Sequence, residues 1–195
     1  MQDTNPIVCL GDSLTEGYGA GGQGVVDKSR SYPAYLQGKI KMPVVNSGIS
    51  GDTTKGALDR LERDVLSKDP HMVIILLGAN DFFQQRPMAE AKANLQEIID
   101  RTRKEDRIIY LASFMGGTYW ETSILNSISE IFIAEYASLL FQYKRMFDEL
   151  ISENKDIHFI PEIWTGINST HMSDPIHPNA AGYERIAQTI YEAIR

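Results

Sequence analysis

Met72-Val73-Ile74-Ile75-Leu76-Leu77 is a continuous apolar run that ends at Gly78-Ala79-Asn80-Asp81. A strand with one wet face alternates apolar and polar residues, whereas a run without alternation suits a strand covered on both faces. Gly78 and the Asn-Asp pair then mark a turn. The stretch reads as an inner strand of a parallel sheet with helices on either side.

The same pattern continues outward in both directions. Ile7–Leu10, Val44–Val45, Ile108–Ala112 and Ile157–Ile160 are further apolar runs of strand length. Helical stripes separate them. Tyr32, Tyr35, Leu36 and Ile40 form the first, opened by Ser31 as a cap with Pro33 in the first turn. Ala57, Leu58, Leu61 and Val65 form the second, and Ala91, Leu95, Ile98, Ile99 and Thr102 the third, entered through Pro87. Leu139, Leu140, Tyr143, Met146, Phe147 and Leu150 form the fourth, and Tyr183, Ile186, Ala187, Ile190 and Ile194 the last. Repeated strand–helix alternation predicts an α/β fold with a parallel sheet and right-handed crossovers. Ligands in such sheets bind beyond the carboxyl ends of the strands.

A chain of 195 residues is expected to form one domain, spanning 1–195. With 43% hydrophobic and 23% charged residues it has ordinary globular composition. A formal net charge of -7 argues against nucleic acid as a partner, because a basic face would be needed to displace counterions. The same charge favours a soluble monomer or small homo-oligomer. Cys9 is the sole cysteine and sits within an apolar run, where an inert buried thiol is expected. No apolar stretch reaches the roughly 18 residues of a membrane span. Met1-Gln2-Asp3-Thr4-Asn5 is too polar for a leader. As written the chain fits the cytoplasm; with a leader removed it fits the periplasm or secretion.

Chemistry-bearing residues gather just after the strands. Gly11-Asp12-Ser13-Leu14 follows the first, placing a hydroxyl at a sharp turn beside backbone N–H groups that can face an anion. A serine there is also a common helix cap. Asn46-Ser47-Gly48-Ile49-Ser50-Gly51-Asp52-Thr53 follows the second, and Gly51 offers an N–H unobstructed by a side chain. Asn80, after the third, is a neutral donor suited to an oxyanion hole. Asp174-Pro175-Ile176-His177-Pro178 lies ahead of the last helix, which Pro178 suits as a start. Three residues of spacing let Asp174 curl back to accept from the imidazole Nδ1, leaving Nε2 as a base. Each motif alone has a bland reading as a turn or a cap. Their joint placement points to nucleophilic acyl transfer.

With Gly11-Asp12-Ser13-Leu14, Ser50-Gly51-Asp52-Thr53, Gly78-Ala79-Asn80-Asp81 and Asp174-Pro175-Ile176-His177 all present, the chain resembles the SGNH hydrolases, or GDSL esterases and lipases. Its second block is especially similar to that of bacterial multifunctional thioesterase/lysophospholipases. The resemblance implies a three-layer, flavodoxin-like five-stranded parallel sheet of order 2-1-3-4-5. It implies a serine esterase with catalytic Ser13, Asp174 and His177, and an oxyanion hole from Ser13, Gly51 (rather than Gly48) and Asn80. It further implies no metal and no cofactor, and a small acyl ester as substrate. Thioesters, lysophospholipids and acetylated carbohydrates are substrates of the same family, and residue identities do not choose among them.

The stretch 114–132 looks longer than in the smallest members. It reads either as an apolar flap over the acyl site, including Trp120, or as a helix start packed on the core. Phe82 and Phe83 have the same two readings, as acyl-pocket lining or as core. Three rival functions are weaker. Gly19-Ala20-Gly21-Gly22-Gln23-Gly24 fits a dinucleotide fingerprint but lies past the first strand and precedes a polar segment. A phosphoacceptor domain using Asp12 and Asp81 lacks its lysine after the last strand. A metal site from His171, Asp174 and His177 leaves Ser13 and Asn80 unexplained.

Overall fold

The structure is a computed structural model that describes residues 5–116 and 133–195. Its centre is a parallel sheet of β1 (Ile7–Gly11), β2 (Val44–Gly48), β3 (Met72–Leu76), β4 (Ile108–Ala112) and β5 (His158–Ile160), in the order 2-1-3-4-5. Every residue of β1 and β3 is buried, which accounts for their unbroken apolar sequence. The edge strands β2 and β5 are only partly covered, and they tolerate Asn46 and His158.

Helices fill both faces. They are α1 (Ser13–Glu16), α2 (Tyr32–Gln37), α3 (Thr54–Asp59), α4 (Leu61–Asp64), α5 (Ala79–Phe83), α6 (Met88–Thr102), α7 (Ile133–Glu153) and α8 (Ala180–Ile194). Strand order reverses after β2, so right-handed crossovers send α2 to one face and α3, α6 and α7 to the other. The final helix α8 packs beside α2, while α6 packs against α3 and α7. This is the three-layer arrangement expected.

Two helix boundaries differ from the periodic reading. The stripe Ala57, Leu58, Leu61, Val65 is broken at Arg60, whose backbone leaves the helical region at φ -102°, ψ 2°. The last helix starts at Ala180, not at Pro178. Asn179 is its cap, accepting from the Gly182 N–H, and that bond takes precedence over the favoured φ of proline. The long helix α7 buries Tyr143, Met146, Phe147 and Leu150, as its stripe predicts. Cys9 is fully buried, which pushes its thiol up to about 12.

Among the described residues no helix is long and apolar enough to cross a membrane.

Register sets the site. Gly11 of β1 is level with Gly48 of β2 and with Leu76 of β3. The turns after these three strands therefore emerge side by side at one rim. Order reverses between β1 and β3, the switch point beside which sheets of this kind hold their ligands.

Candidate active site

β1 ends in Gly11, and Asp12 caps the short helix α1 by accepting the Leu14 N–H at 3.0 Å. Ser13 is the first residue of that helix. An N–H at this position has no acceptor within its own helix. α1 is stopped after one turn by Gly17, at φ 102°. The serine thus stands on a tight strand-to-helix turn, 9% exposed, with its hydroxyl at the rim.

His177 reaches the same rim from the other end of the chain. Its Nε2 lies 3.0 Å from Ser13 Oγ, between residues 164 apart in sequence. Its Nδ1 lies 3.0 and 2.9 Å from the two oxygens of Asp174. Asp174 Oδ1 also accepts the N–H groups of Ile176 at 2.8 Å and His177 at 2.7 Å, closing the loop into a tight turn. Burial works to raise the Asp174 carboxyl, but those two N–H groups and the imidazole outweigh it and hold the group below the usual carboxylate range. An ionised Asp174 accepts from Nδ1–H, which leaves Nε2 as the acceptor facing Ser13. The loop is held at its ends by a bridge between Met172 and Pro178 and by the Ser173 N–H donating to the His177 carbonyl at 2.8 Å.

Two other turns complete the rim. Gly51 has φ +81°, and a Cβ built there would meet nothing within 4 Å, so no side chain or backbone crowds that side of the turn. Gly48 differs. A Cβ there would lie 2.2 Å from the Glu16 nitrogen, because β2 and α1 touch backbone to backbone. After β3, Asn80 sits in the first turn of α5, and its amide donates to the Asp52 carbonyl at 2.8 Å. The same Nδ2 is 3.4 Å from Asp12 Oδ2, a long contact.

Several braces escaped the sequence reading. The Arg60 guanidinium is 7% exposed and donates to the Ser47 carbonyl at 2.8 Å and to the Gly11 carbonyl at 3.0 Å. It also pairs with Asp52 at 2.7 Å and Asp64 at 3.1 Å. One clue was available: a charged residue set inside an apolar helical stripe. Glu16 accepts both the N–H and the hydroxyl of Ser50, tying the second turn to α1. Asp81 accepts the N–H and hydroxyl of Thr54, tying the third turn to the start of α3. Asp12 is 1% exposed. Burial pushes its carboxyl up to about 7, against the pull of the Leu14 N–H, and the carboxylates of Asp52 and Asp81 add to the rise.

The remaining candidates lie elsewhere. Phe82 is 1% exposed and packs its ring against Phe83, Phe114, Tyr136 and Tyr143, so of its two readings the structure has core packing. Phe83 is partly exposed beside it. Phe114 and Met115 are buried; residues 117–132, Trp120 among them, fall outside the described residues. Gly19 to Gly24 forms a turn whose Gly19 and Gly21 N–H groups donate to the Val25 carbonyl, so they are not presented to a phosphate. His171 turns its Nδ1 to Asn168 Oδ1 at 3.0 Å.

Residues 9–185 match the family model described as the GDSL-like Lipase/Acylhydrolase family. Esterase TesA of Pseudomonas aeruginosa is 26% identical over 194 residues, covering 97% of this chain and 87% of that protein. The thioesterase 1/protease 1/lysophospholipase L1 of Escherichia coli is 34% identical over 95 residues, covering 48% of this chain and 43% of that one. Among solved structures, the psychrotrophic esterase EstA of Pseudoalteromonas sp. superposes with a TM-score of 0.75 at 24% identity, over 97% of this chain and 96% of the other. That likeness shows the fold.

Proposed function

The chain belongs to the GDSL-like lipase/acylhydrolase family and is a hydrolase of ester bonds, and on that premise we propose that it works through an acyl-enzyme on Ser13. One observation carries the proposal: the 3.0 Å approach of Ser13 Oγ to His177 Nε2 at the carboxyl edge of the sheet.

In this reading Ser13 Oγ attacks the ester carbonyl while Nε2 of His177 takes the hydroxyl proton. The carbonyl π electrons move to oxygen. The resulting oxyanion is held by the N–H groups of Ser13 and Gly51 and by the Asn80 amide hydrogen not engaged with Asp52. Asp174 stays ionised and steadies the imidazolium without taking its proton. His177 then protonates the departing alcohol or thiol, leaving an ester on Ser13. Water repeats the sequence, giving its proton to His177, and frees the acid and the serine.

Donors fixed before substrate arrives need no reorganisation when charge develops, which favours the transition state over the ground state. Here Asp52–Asn80, Glu16–Ser50 and Arg60–Gly11 supply that fixation. We assign short or medium acyl esters as substrates, because apolar Ile49, 43% exposed, stands beside the Gly51 turn. Thioesters and lysophospholipids, the classes in the name of the E. coli relative, are the next to test.

A panel of p-nitrophenyl esters of graded chain length tests the reading. Hydrolysis lost in Ser13→Ala is expected, with turnover extending beyond acetate. Activity that survives Ser13→Ala contradicts the proposed nucleophile. Strict preference for acetate contradicts the assigned acyl range.

A further inference from the structure

Tyr18 follows the nucleophile turn, in a segment with no apolar periodicity. Its backbone is held from several sides. The Tyr18 N–H donates to the Ser13 carbonyl at 3.1 Å, and an antiparallel bridge joins Tyr18 to Val26. The Tyr18 carbonyl accepts the hydroxyl of Tyr183 at 2.7 Å, and that same buried hydroxyl lies 3.3 Å from the Ser13 carbonyl. The next residue, Gly19, runs so close to the histidine loop that a Cβ would lie 2.7 Å from the Pro178 carbonyl. With the backbone fixed in this way, the Tyr18 ring stands 4.5 Å, centroid to centroid, from the His177 ring, tilted by 49°.

The imidazole therefore has three neighbours of distinct chemistry: Asp174 at Nδ1, Ser13 at Nε2 and an aromatic ring against its side. A π cloud within about 6 Å of a cation attracts it, and more strongly where water is excluded. It attracts a neutral imidazole less. The charge on His177 exists only between the uptake of the serine proton and its transfer to the leaving group. A ring in this place lowers the barrier and leaves substrate affinity alone.

We propose that Tyr18 is a positioning residue for His177: its ring holds the imidazole plane between Ser13 and Asp174 and stabilises the imidazolium formed during acyl transfer. The proposal rests on the reading of His177 as the base of a serine esterase. It concerns the ring and not the phenol hydroxyl, so phenylalanine should serve as well as tyrosine.

The test is steady-state hydrolysis of p-nitrophenyl esters by wild type, Tyr18→Phe, Tyr18→Leu and Tyr18→Met, with Ser13→Ala alongside. Leu and Met keep most of the volume but lose the π face. Expected for both is a kcat reduced about 3- to 30-fold with KM little changed, and for Phe a kcat within about 2-fold of wild type. Two aliphatic variants guard against one that fails to fold. Wild-type kcat in either aliphatic variant overturns the proposal. A Phe variant as slow as Leu overturns it too, since the hydroxyl would then be the active part. Activity that survives Ser13→Ala overturns the underlying reading, and the Tyr18 role with it.

Discussion

Arg60 donates from Nη2 to the carbonyl of Gly11 at 3.0 Å, so a guanidinium from a break between two helices holds the end of the strand that carries Ser13. It also holds the second turn, through Ser47 and Asp52. Removing the arginine leaves the Asp52 carboxylate, 11% exposed, without its partner. Breaking a buried pair from one side costs about 3–5 kcal/mol. For a domain of this size each kcal/mol moves Tm by about 2–4 °C. Arg60→Met is expected to lower Tm by about 6–20 °C, with Arg60→Lys in between. A melt of Arg60→Met within 2 °C of wild type would show that the brace is not structural.

Asn80 carries the side-chain share of the proposed oxyanion hole. Asn80→Ala should lower kcat by about 10²–10³ and change KM little, because the lost bond strengthens only as charge develops. Unchanged kcat would remove Asn80 from the mechanism.

Gly48 and Gly51 are three residues apart, and substitution separates them. Gly48→Ala forces a Cβ into the backbone of α1, at 2.2 Å from the Glu16 nitrogen. Gly51→Ala meets nothing and suffers only from its φ of +81°, a cost of about 1–2 kcal/mol for an L-residue. Chemical denaturation should therefore find Gly48→Ala much the less stable of the two. Equal stabilities would mean that β2 and α1 do not pack as closely as described.

Asp12 makes stability depend on pH. Burial pushes its carboxyl up to about 7, from an ordinary 3.8. Between these values the folded protein holds a proton that the unfolded chain releases, so this contribution falls as pH rises from about 4 to about 7. Asp174, held below the usual range, acts in the opposite sense and at lower pH. Asp12→Asn keeps the bond from Leu14 and cannot ionise. Its stability relative to wild type should rise between pH 4.5 and 8, by up to about 4 kcal/mol. A difference flat across that range would show that Asp12 does not titrate there.

The sheet was legible because inner strands need apolar residues on both faces, and Met72–Leu77 carries no alternation to confuse it. Ser13, Asn80 and His177 were legible because each follows a strand or precedes a helix whose limits the pattern defines. Arg60 was not. Periodicity describes only which side of a helix is buried, and the Ala57-to-Val65 stripe continues in register across a break made by one side chain bonding inward. Tyr18 was hidden for a related reason. A glycine-rich turn has no period, and the turn's partner, the loop around His177, is more than 150 residues away. The Asn179 cap was missed because Pro178 beside it is an equally good start signal, and only the bond to Gly182 separates them.

The proposed mechanism depends on Ser13 being the activated nucleophile at this rim. Fluorophosphonate labelling of the intact protein, followed by mass mapping of the peptides, tests that most directly. One adduct on Ser13, absent from His177→Ala, is the predicted result. An adduct on a different residue, or labelling of Ser13 that proceeds equally without His177, would contradict it.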